Sequence, residues 1–359
     1  MERLAAVFFC IGALDFLTGS RLHLGEAFRR AFGTLPGLFI TMTGFMCLAP
    51  WISGVAAPAV GPLMTMIGCD PSFFAGLLIS CDSGAAVLAR EMALDPEAGL
   101  YNGMIVASYL GVTISFTIPY ALMNSSDVNR GAVVRGLLVG FVTIPLGCVI
   151  SGVLGGFPAG VILSGLLPII AMCVLLILLF RISPAAAQKV FLLISYIVRG
   201  VSLFGFSAVV LKEYAGISLV GNMTPLDEVL PVIGRIAVFL AGILPAVELL
   251  RLVLKKGFDT AASILKIDAE GVNALVTSAV NSMPVIFDLA AYEPRSAMLN
   301  TAFFTSACFA VGDFLAFAMQ FSPRTALPLM AGKLAAGGIA LAAAAAWGPG
   351  PSADPSSGV

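Results

Sequence analysis

Long apolar stretches separated by short polar segments dominate the chain. A helix needs about 20 mostly apolar residues to cross a bilayer, and the pattern predicts about ten or eleven spans. The span nearest the start is short and another carries Lys189 and Arg199, so the number stays open. The predicted spans are roughly 4–18, 36–58, 71–93, 99–122, 131–154, 160–181, 188–211, 229–252, 269–291, 297–320 and 324–347. The predicted fold class is an all-α polytopic membrane protein.

Composition supports this interpretation. Hydrophobic residues make up 59% of the chain and charged residues 11%, whereas soluble domains have roughly 25% charged residues. The mean hydropathy is +1.02, so the lipid bilayer is the expected environment of most side chains. The net charge is −1 without a basic patch, which argues against nucleic acid as a partner. A homo-oligomer is compatible with the sequence.

The polar segments indicate boundaries but leave the orientation open. Arg21–Phe32 alternates charged and apolar residues, which is typical of an amphipathic helix on a membrane surface. The last twelve residues, 348–359, are rich in Pro, Ser and Gly and predict a disordered tail after one transporter domain over 1–347. Basic residues concentrate at Arg251, Lys255, Lys256 and Lys266, which predicts a cytoplasmic side. The basic cluster near Arg29 then falls on the opposite side, so the topology is unresolved.

Two stretches, 70–116 and 268–314, repeat one another at an offset of 198 residues. Corresponding interrupted apolar segments in two halves indicate a transporter's substrate site. We expect repeat units at about 36–154 and 229–347, each with a mid-span proline (Pro50, Pro245), in either parallel or inverted orientation. The matched pairs are Asp70/Asp268, Leu77/Leu275, Ser80/Ser278, Val87/Val285, Ala93/Ala291, Pro96/Pro294, Asn102/Asn300, Ser108/Ser306 and Phe116/Phe314.

Small residues recur every fourth position in the first span of each repeat. Gly76, Ser80 and Gly84 would share one helix face, as would their partners at 274, 278 and 282. Such a face allows close helix packing in lipid. Two interpretations stay open for this face: an interface for helix packing, or a place where the helix unwinds.

Asp82 stands near the middle of an apolar run, between Ser80 and Gly84. An ionised carboxylate at the bilayer centre costs several kcal/mol unless it is paired or hydrated. It is either a functional site or the partner of a buried base. Ser80 and Ser83 offer hydroxyls beside it.

The second half carries a matching break and a second acid. Pro284 frees a backbone carbonyl, and Asn281 can donate and accept hydrogen bonds. Asp313 follows Gly312, and Thr113 occupies the equivalent stretch of the first half. Two acids with no matching cation nearby predict a pocket for a small positive ligand. The candidate binding residues are Asp82, Asp313, Ser83, Asn281, Thr113, Ser80 and Asn300.

Other polar residues suggest no second site. Asp15, Glu248, Arg235 and Lys333 lie inside predicted spans and could simply pair with one another. Seven scattered cysteines and the single His23 indicate neither a metal site nor a disulfide framework, and no cofactor is expected. The sequence has no recognisable nucleophile–base arrangement, so a membrane enzyme is the weaker class. Four aromatic residues could face an ammonium but at helical spacing favour packing: Phe74, Phe116, Phe314 and Phe317.

At these residues the chain resembles the EutH family of ethanolamine utilisation transporters. The resemblance covers about residues 4–347 and rests on the order and spacing of several segments. Phe314 stands where the family often has a histidine, and Ser282 where it often has a second asparagine. The segments are Leu48–Trp51, Asp70–Asp82, Ala89–Glu91, Thr143–Cys148, Asn281–Pro284, Asn300–Phe303 and Ala310–Asp313.

The resemblance implies a multi-pass ethanolamine permease of the bacterial inner (cytoplasmic) membrane that works by alternating access. A carboxylate would hold the ammonium by a charge-assisted hydrogen bond. We expect Asp82 to bind it, Asp313 to share it or gate the path, and Ser83, Asn281 or Thr113 to hold the hydroxyl. Two alternatives remain: an Na⁺- or H⁺-coupled symporter of another small amine or amino acid, and a membrane scaffold or sensor.

Overall fold

The computed structural model describes residues 2–33, 35–254 and 257–347, and this part of the chain is helical without an assigned strand. The predicted tail at 348–359, together with Lys255 and Lys256, lies outside the described residues. In chain order the α-helices are α1 (Glu2–Leu17), α2 (Leu24–Gly33), α3 (Leu35–Met66), α4 (Phe73–Leu78), α5 (Ala86–Met92), α6 (Pro96–Leu100), α7 (Ile118–Met123), α8 (Asp127–Leu154), α9 (Ala159–Ile182), α10 (Pro184–Ala215), α11 (Leu226–Leu254), α12 (Phe258–Leu265), α13 (Ala269–Val280), α14 (Met283–Phe287), α15 (Pro294–Ala307), α16 (Asp313–Phe321) and α17 (Pro323–Ala346).

Three π-helical segments lie among them. Cys81–Ala85, which is kinked at Gly84 with a non-helical φ of 117°, leads into α5. Tyr101–Gly111 and Thr113–Thr117 connect α6 to α7. The last two join α6 and α7 into one continuous helical element over 96–123. Because π-helical turns are frequent at functional sites, these segments indicate a candidate functional site in the first half of the chain.

Among the residues that the structure describes, seven helices are long and apolar enough to cross a membrane, which confirms the all-α polytopic class. Seven of the predicted spans correspond to these continuous helices. Three of the other four predicted spans, 71–93, 269–291 and 297–320, are broken in mid-course. The fourth, α1, has only 16 residues. The seven are Phe39–Met66, Pro96–Met123, Asp127–Leu154, Ala159–Ile182, Pro184–Ala215, Leu226–Val253 and Pro323–Ala346.

Helix ends are fixed by residues that satisfy orphan backbone groups. Ser126 and Ser183 cap α8 and α10 by accepting hydrogen bonds from backbone N–H groups. Gly216 ends α10 in the left-handed conformation with φ 67°. The predicted amphipathic helix is α2, which packs on α1 and α11. Asp15 holds its start by accepting from Leu22 N at 3.0 Å and Gly25 N at 2.8 Å.

Helices α8, α15 and α17 form the most closely packed group. Glycines on α8 allow the approach: a Cβ at Gly140 would lie 2.4 Å from Thr305 Cβ. Hydroxyls pair at the same seam, where Thr143 Oγ1 lies 2.9 Å from Ser306 Oγ. Small residues and hydroxyl pairs are the usual means of helix association in lipid. The irregular segment between α15 and α16 follows directly from this closely packed group.

The two breaks of the second half lie against each other. The chain between α15 and α16 meets the last turn of α13, directly before the break between α13 and α14, and backbone hydrogen bonds join them. Val311 N donates to Ala279 O at 2.8 Å, and Phe309 N donates to Ser278 O at 3.2 Å. Irregular backbone at membrane depth must be satisfied within the protein, and these bonds do so.

The two halves share several local contacts. Gly111 faces Ile79 O and Gly312 faces Val280 O, each so closely that a Cβ would lie about 2 Å away. Asp70 and Asp268 both accept from the backbone at the start of a broken helix. The aspartates keep the offset of 198 residues, whereas Gly111 and Gly312, like Ile79 and Val280, are 201 residues apart. The internal repeat, with bounds at about 36–154 and 229–347, stays a prediction.

The predicted mutual pairing of four intramembrane charges is wrong for the residues described. Asp15 caps α2 instead. Glu248 pairs with Arg30 at 3.2 Å and Arg251 at 2.6 Å. Lys333 donates to Ser108 O at 2.6 Å. The Glu248–Arg251 pair has i,i+3 spacing on α11 and could be found from the sequence. The pairing with Arg30 and the backbone contacts of Asp15 and Lys333 depend on tertiary packing.

Candidate functional site

A cavity of about 490 Å³ lies where the breaks of the two halves meet. Its wall combines the irregular segments around Ser80 and Asn281 with α3, α7 and α10. Pockets of roughly 300–1,000 Å³ accommodate small organic ligands. The lining residues are Gly33, Gly37, Thr41, Phe45, Ser80, Asp82, Ser83, Val112, Ser115, Phe116, Tyr120, Ser195, Val198, Arg199, Ser202, Asn281, Met283, Phe309, Asp313 and Phe314.

Asp82 lies at the helix break of the first half. The chain leaves α4 at an extended Ile79, and Ser80 is also extended before the π-helical turn that carries Asp82. Ser80 Oγ donates to Asp82 Oδ1 at 2.5 Å, and Ser83 Oγ donates to the same oxygen at 3.3 Å. The carboxylate is 9% exposed. Both hydroxyls engage Oδ1, so they orient the group while Oδ2 has no side-chain hydroxyl donor in the described part of the protein.

Asp313 and Asn281 bring the second half into the cavity. Asp313 is the first residue of α16, where the helix dipole favours a negative charge. It interacts electrostatically with Asp82. Asn281 ends α13 in an extended conformation, and its Oδ1 accepts from Met283 N at 2.9 Å. This bond fixes the side chain and leaves its amide N–H groups to meet a ligand.

The structure brings five of the seven predicted binding residues to this cavity, and two lie elsewhere. Thr113 is fully buried and donates to Thr305 O at 3.3 Å. Asn300 is also fully buried and donates to the carbonyls of Gly271 and Ser296, each at 3.0 Å. Their hydrogen bonds join helices within the packed interior, so neither side chain lines the cavity. The five are Asp82, Asp313, Ser83, Asn281 and Ser80.

The expectation that no cation lies near the acids was wrong. Arg199 of α10 lines the same cavity, with its guanidinium carbon 4.7 Å from the centre of the Tyr120 ring. Sequence reasoning noted this arginine only as a complication of a predicted span. Arg199 is far from both acids in the sequence and no local sequence pattern marks it. Its position in the same cavity could therefore not be predicted.

A second cation, Lys333, lies behind the cavity wall. Its ammonium is fully buried and contacts the faces of Tyr109, at 4.5 Å, and of the cavity-lining Phe314, at 5.0 Å. The carbonyl of Ser108 accepts its hydrogen bond. Carbonyl and aromatic faces together can solvate an ammonium in an apolar interior.

The arrangement suits binding of a small, polar, positively charged ligand. Carboxylates supply charge, while Ser83 and Asn281 supply hydrogen-bonding groups for a second polar end. Phe116 and Tyr120 contribute aromatic faces. Within the ranges 2–33, 35–254 and 257–347, no cluster of His, Cys, Asp and Glu could hold a metal ion.

Comparison with known proteins places this architecture in a family. The family model described as ethanolamine utilisation protein, EutH, matches residues 3–347. A Bacillus subtilis protein called "Uncharacterized protein YxeR" is 35% identical, over 95% of this chain and 92% of its own length. The Listeria monocytogenes "Probable ethanolamine permease EutH" is 32% identical, over 94% of this chain and 91% of its own.

A more distant relative extends the comparison. The Salmonella typhimurium "Probable ethanolamine permease EutH" is 31% identical, over 89% of this chain and 84% of its own length. No solved structure matches the chain. The family match covers every broken helix and the whole cavity lining described above. This multi-pass membrane protein belongs to the EutH family.

Proposed function

We propose that the protein is an ethanolamine permease of the bacterial inner membrane. The single observation that carries the proposal is the cavity in which Asp82 and Asp313 meet polar groups at the helix breaks. At neutral pH ethanolamine is a primary ammonium two carbons from a hydroxyl. Two relatives named as probable ethanolamine permeases support the choice of substrate.

In this proposal Asp82 binds the ammonium. Ser80 and Ser83 hold its Oδ1, which leaves Oδ2 as the acceptor for the ligand's N–H groups. Asp313 shares the charge or gates the path between the two sides of the membrane. The hydroxyl of ethanolamine meets Ser83 or the amide of Asn281.

Transport would follow alternating access around this site. Discontinuous helices near the midplane of transporters surround substrate sites, and one bundle moves against the other. The cavity is far larger than a molecule of four heavy atoms, so closing would expel water and tighten the contacts. In this proposal the closely packed group of α8, α15 and α17 stays fixed while other helices move.

The test is uptake of labelled ethanolamine into proteoliposomes at acidic pH, where passive passage of the neutral amine is lowest. We expect saturable uptake by the wild type. A response to an imposed proton gradient would identify proton coupling, and no response would exclude it. If the protein shows a cooperative thermal transition, and is therefore folded, but gives no saturable uptake, the proposal is overturned.

A further inference from the structure

Arg199 places a positive charge on the wall of a cavity otherwise suited to cations. It comes from α10, and Ser195 and Ser202, one helical turn to either side, line the cavity with it. Its guanidinium stacks on Tyr120. In the described part of the chain no carboxylate lies within ion-pair distance of it. An unneutralised guanidinium therefore belongs to the electrostatics of the site.

The acidic and basic groups lie on different walls. Asp82 is 9% exposed and sits on the irregular turn after α4, and Asp313 begins α16. Arg199 is exposed and projects from α10. A ligand held at Asp82 therefore lies in the field of a guanidinium that belongs to another element. In a partly buried cavity, where the effective dielectric constant is below that of water, such fields act over several ångströms.

The formal charges of the lining set a limit on the ligand. Asp82 and Asp313 are acids of the lining, Arg199 is a base of the lining, and Lys333 lies behind the wall in electrostatic contact with Asp82. A second ammonium on a ligand held at Asp82 would face the Arg199 guanidinium, which has no ion-paired carboxylate in the described part of the chain. A neutral hydroxyl at that end meets no such repulsion.

Resting on the proposed function, we propose that Arg199 is a specificity-determining residue that restricts the cavity to amines with one positive charge. It rejects diamines of the same length and leaves amino alcohols unaffected. Like-charge repulsion at roughly 10 Å in a partly polar interior corresponds to about 10-fold in affinity.

The test uses two ligands with equal numbers of heavy atoms, 3-aminopropan-1-ol and 1,3-diaminopropane. Each competes with labelled ethanolamine for the purified wild type, for Arg199→Gln and for Lys189→Gln. Lys189 is an exposed base on the same helix but outside the cavity. We expect the wild type and Lys189→Gln to prefer the amino alcohol by about 10-fold or more. Arg199→Gln should lose most of that preference, while Arg199→Lys should keep it.

The outcomes separate this inference from the proposed function. Wild-type protein that binds ethanolamine but takes the diamine as well as the amino alcohol would overturn the inference alone, without any variant. An unchanged preference in folded Arg199→Gln would also overturn it. Folded wild type that binds neither ethanolamine nor 3-aminopropan-1-ol would overturn the proposed function.

Discussion

Some residues of this site could be predicted from the sequence, and others could not. Asp82 and Asp313 were predictable because an acid inside an apolar run is costly unless it meets a ligand, a base or water. Arg199 was not, since an arginine within a long span is equally typical of a side chain that reaches toward the membrane surface. Thr113 and Asn300 looked like binding groups because they are polar. In the structure their hydrogen bonds satisfy backbone carbonyls instead.

Lys333 offers a residue-scale test of the interior beside the cavity. Lys333→Ala would leave the Ser108 carbonyl without its ammonium and open a void between Tyr109 and Phe314. We expect it to lower the free energy of unfolding by about 2–5 kcal/mol, measured by thermal or denaturant unfolding in detergent. Lys189→Ala, an exposed control, should stay within about 0.5 kcal/mol. Equal stability of the two variants would contradict this view of the buried ammonium.

At the scale of elements, apolar periodicity predicted where helices lie but not where they stop. The sequence showed proline at 284 and glycine at 84 and 312, which are compatible with kinks or breaks. It could not show that α4, α13 and α15 end outright, because the polar groups that replace their helix bonds come from neighbouring segments. Val311 N, which donates to Ala279 O, is such a case. Conversely, α3 and α11 continue as single helices past Pro50 and Pro245.

Gly84 tests the break of the first half. Its φ of 117° is strained for any other residue, and a Cβ there would lie 2.2 Å from Phe45 Cβ. We expect Gly84→Ala to destabilise the protein by about 2–4 kcal/mol through strain and overpacking, and to reduce uptake because Phe45 lines the cavity. The matched control is Gly54→Ala in α3, which has open space around it. If both variants unfold alike, the conformation assigned to Gly84 is wrong.

At the scale of the whole molecule, distant parts of the chain are joined by few polar contacts. Asn129 at the start of α8 donates from Nδ2 to the carbonyls of Leu289, at 3.0 Å, and Tyr292, at 2.5 Å. The pair of Arg324 and Glu97 joins α17 to α6. The repeat at an offset of 198 residues predicted that the halves are related. Which side chains connect them depends on folding in three dimensions and could not be predicted.

Asn129→Ala tests one of these connections. Since the side chain is 2% exposed, its removal leaves buried carbonyls unpaired at a cost of about 1–3 kcal/mol. We expect a lower thermal transition with ethanolamine affinity unchanged, because Asn129 lies outside the cavity. Ser263→Ala, which removes an exposed local hydrogen bond, serves as control. A loss of affinity without loss of stability would contradict a purely structural role.

In the proposed function, Asp82 binds the ammonium of the transported amine. The most direct test of this binding is the equilibrium binding of ethanolamine to purified wild type, Asp82→Asn and Asp127→Asn. Asp127→Asn removes the same charge from a fully exposed side chain at the start of α8. We expect Asp127→Asn to bind as the wild type does and Asp82→Asn to bind roughly 10- to 100-fold more weakly, the loss of one charge-assisted hydrogen bond. Wild-type affinity in a folded Asp82→Asn variant would contradict the account.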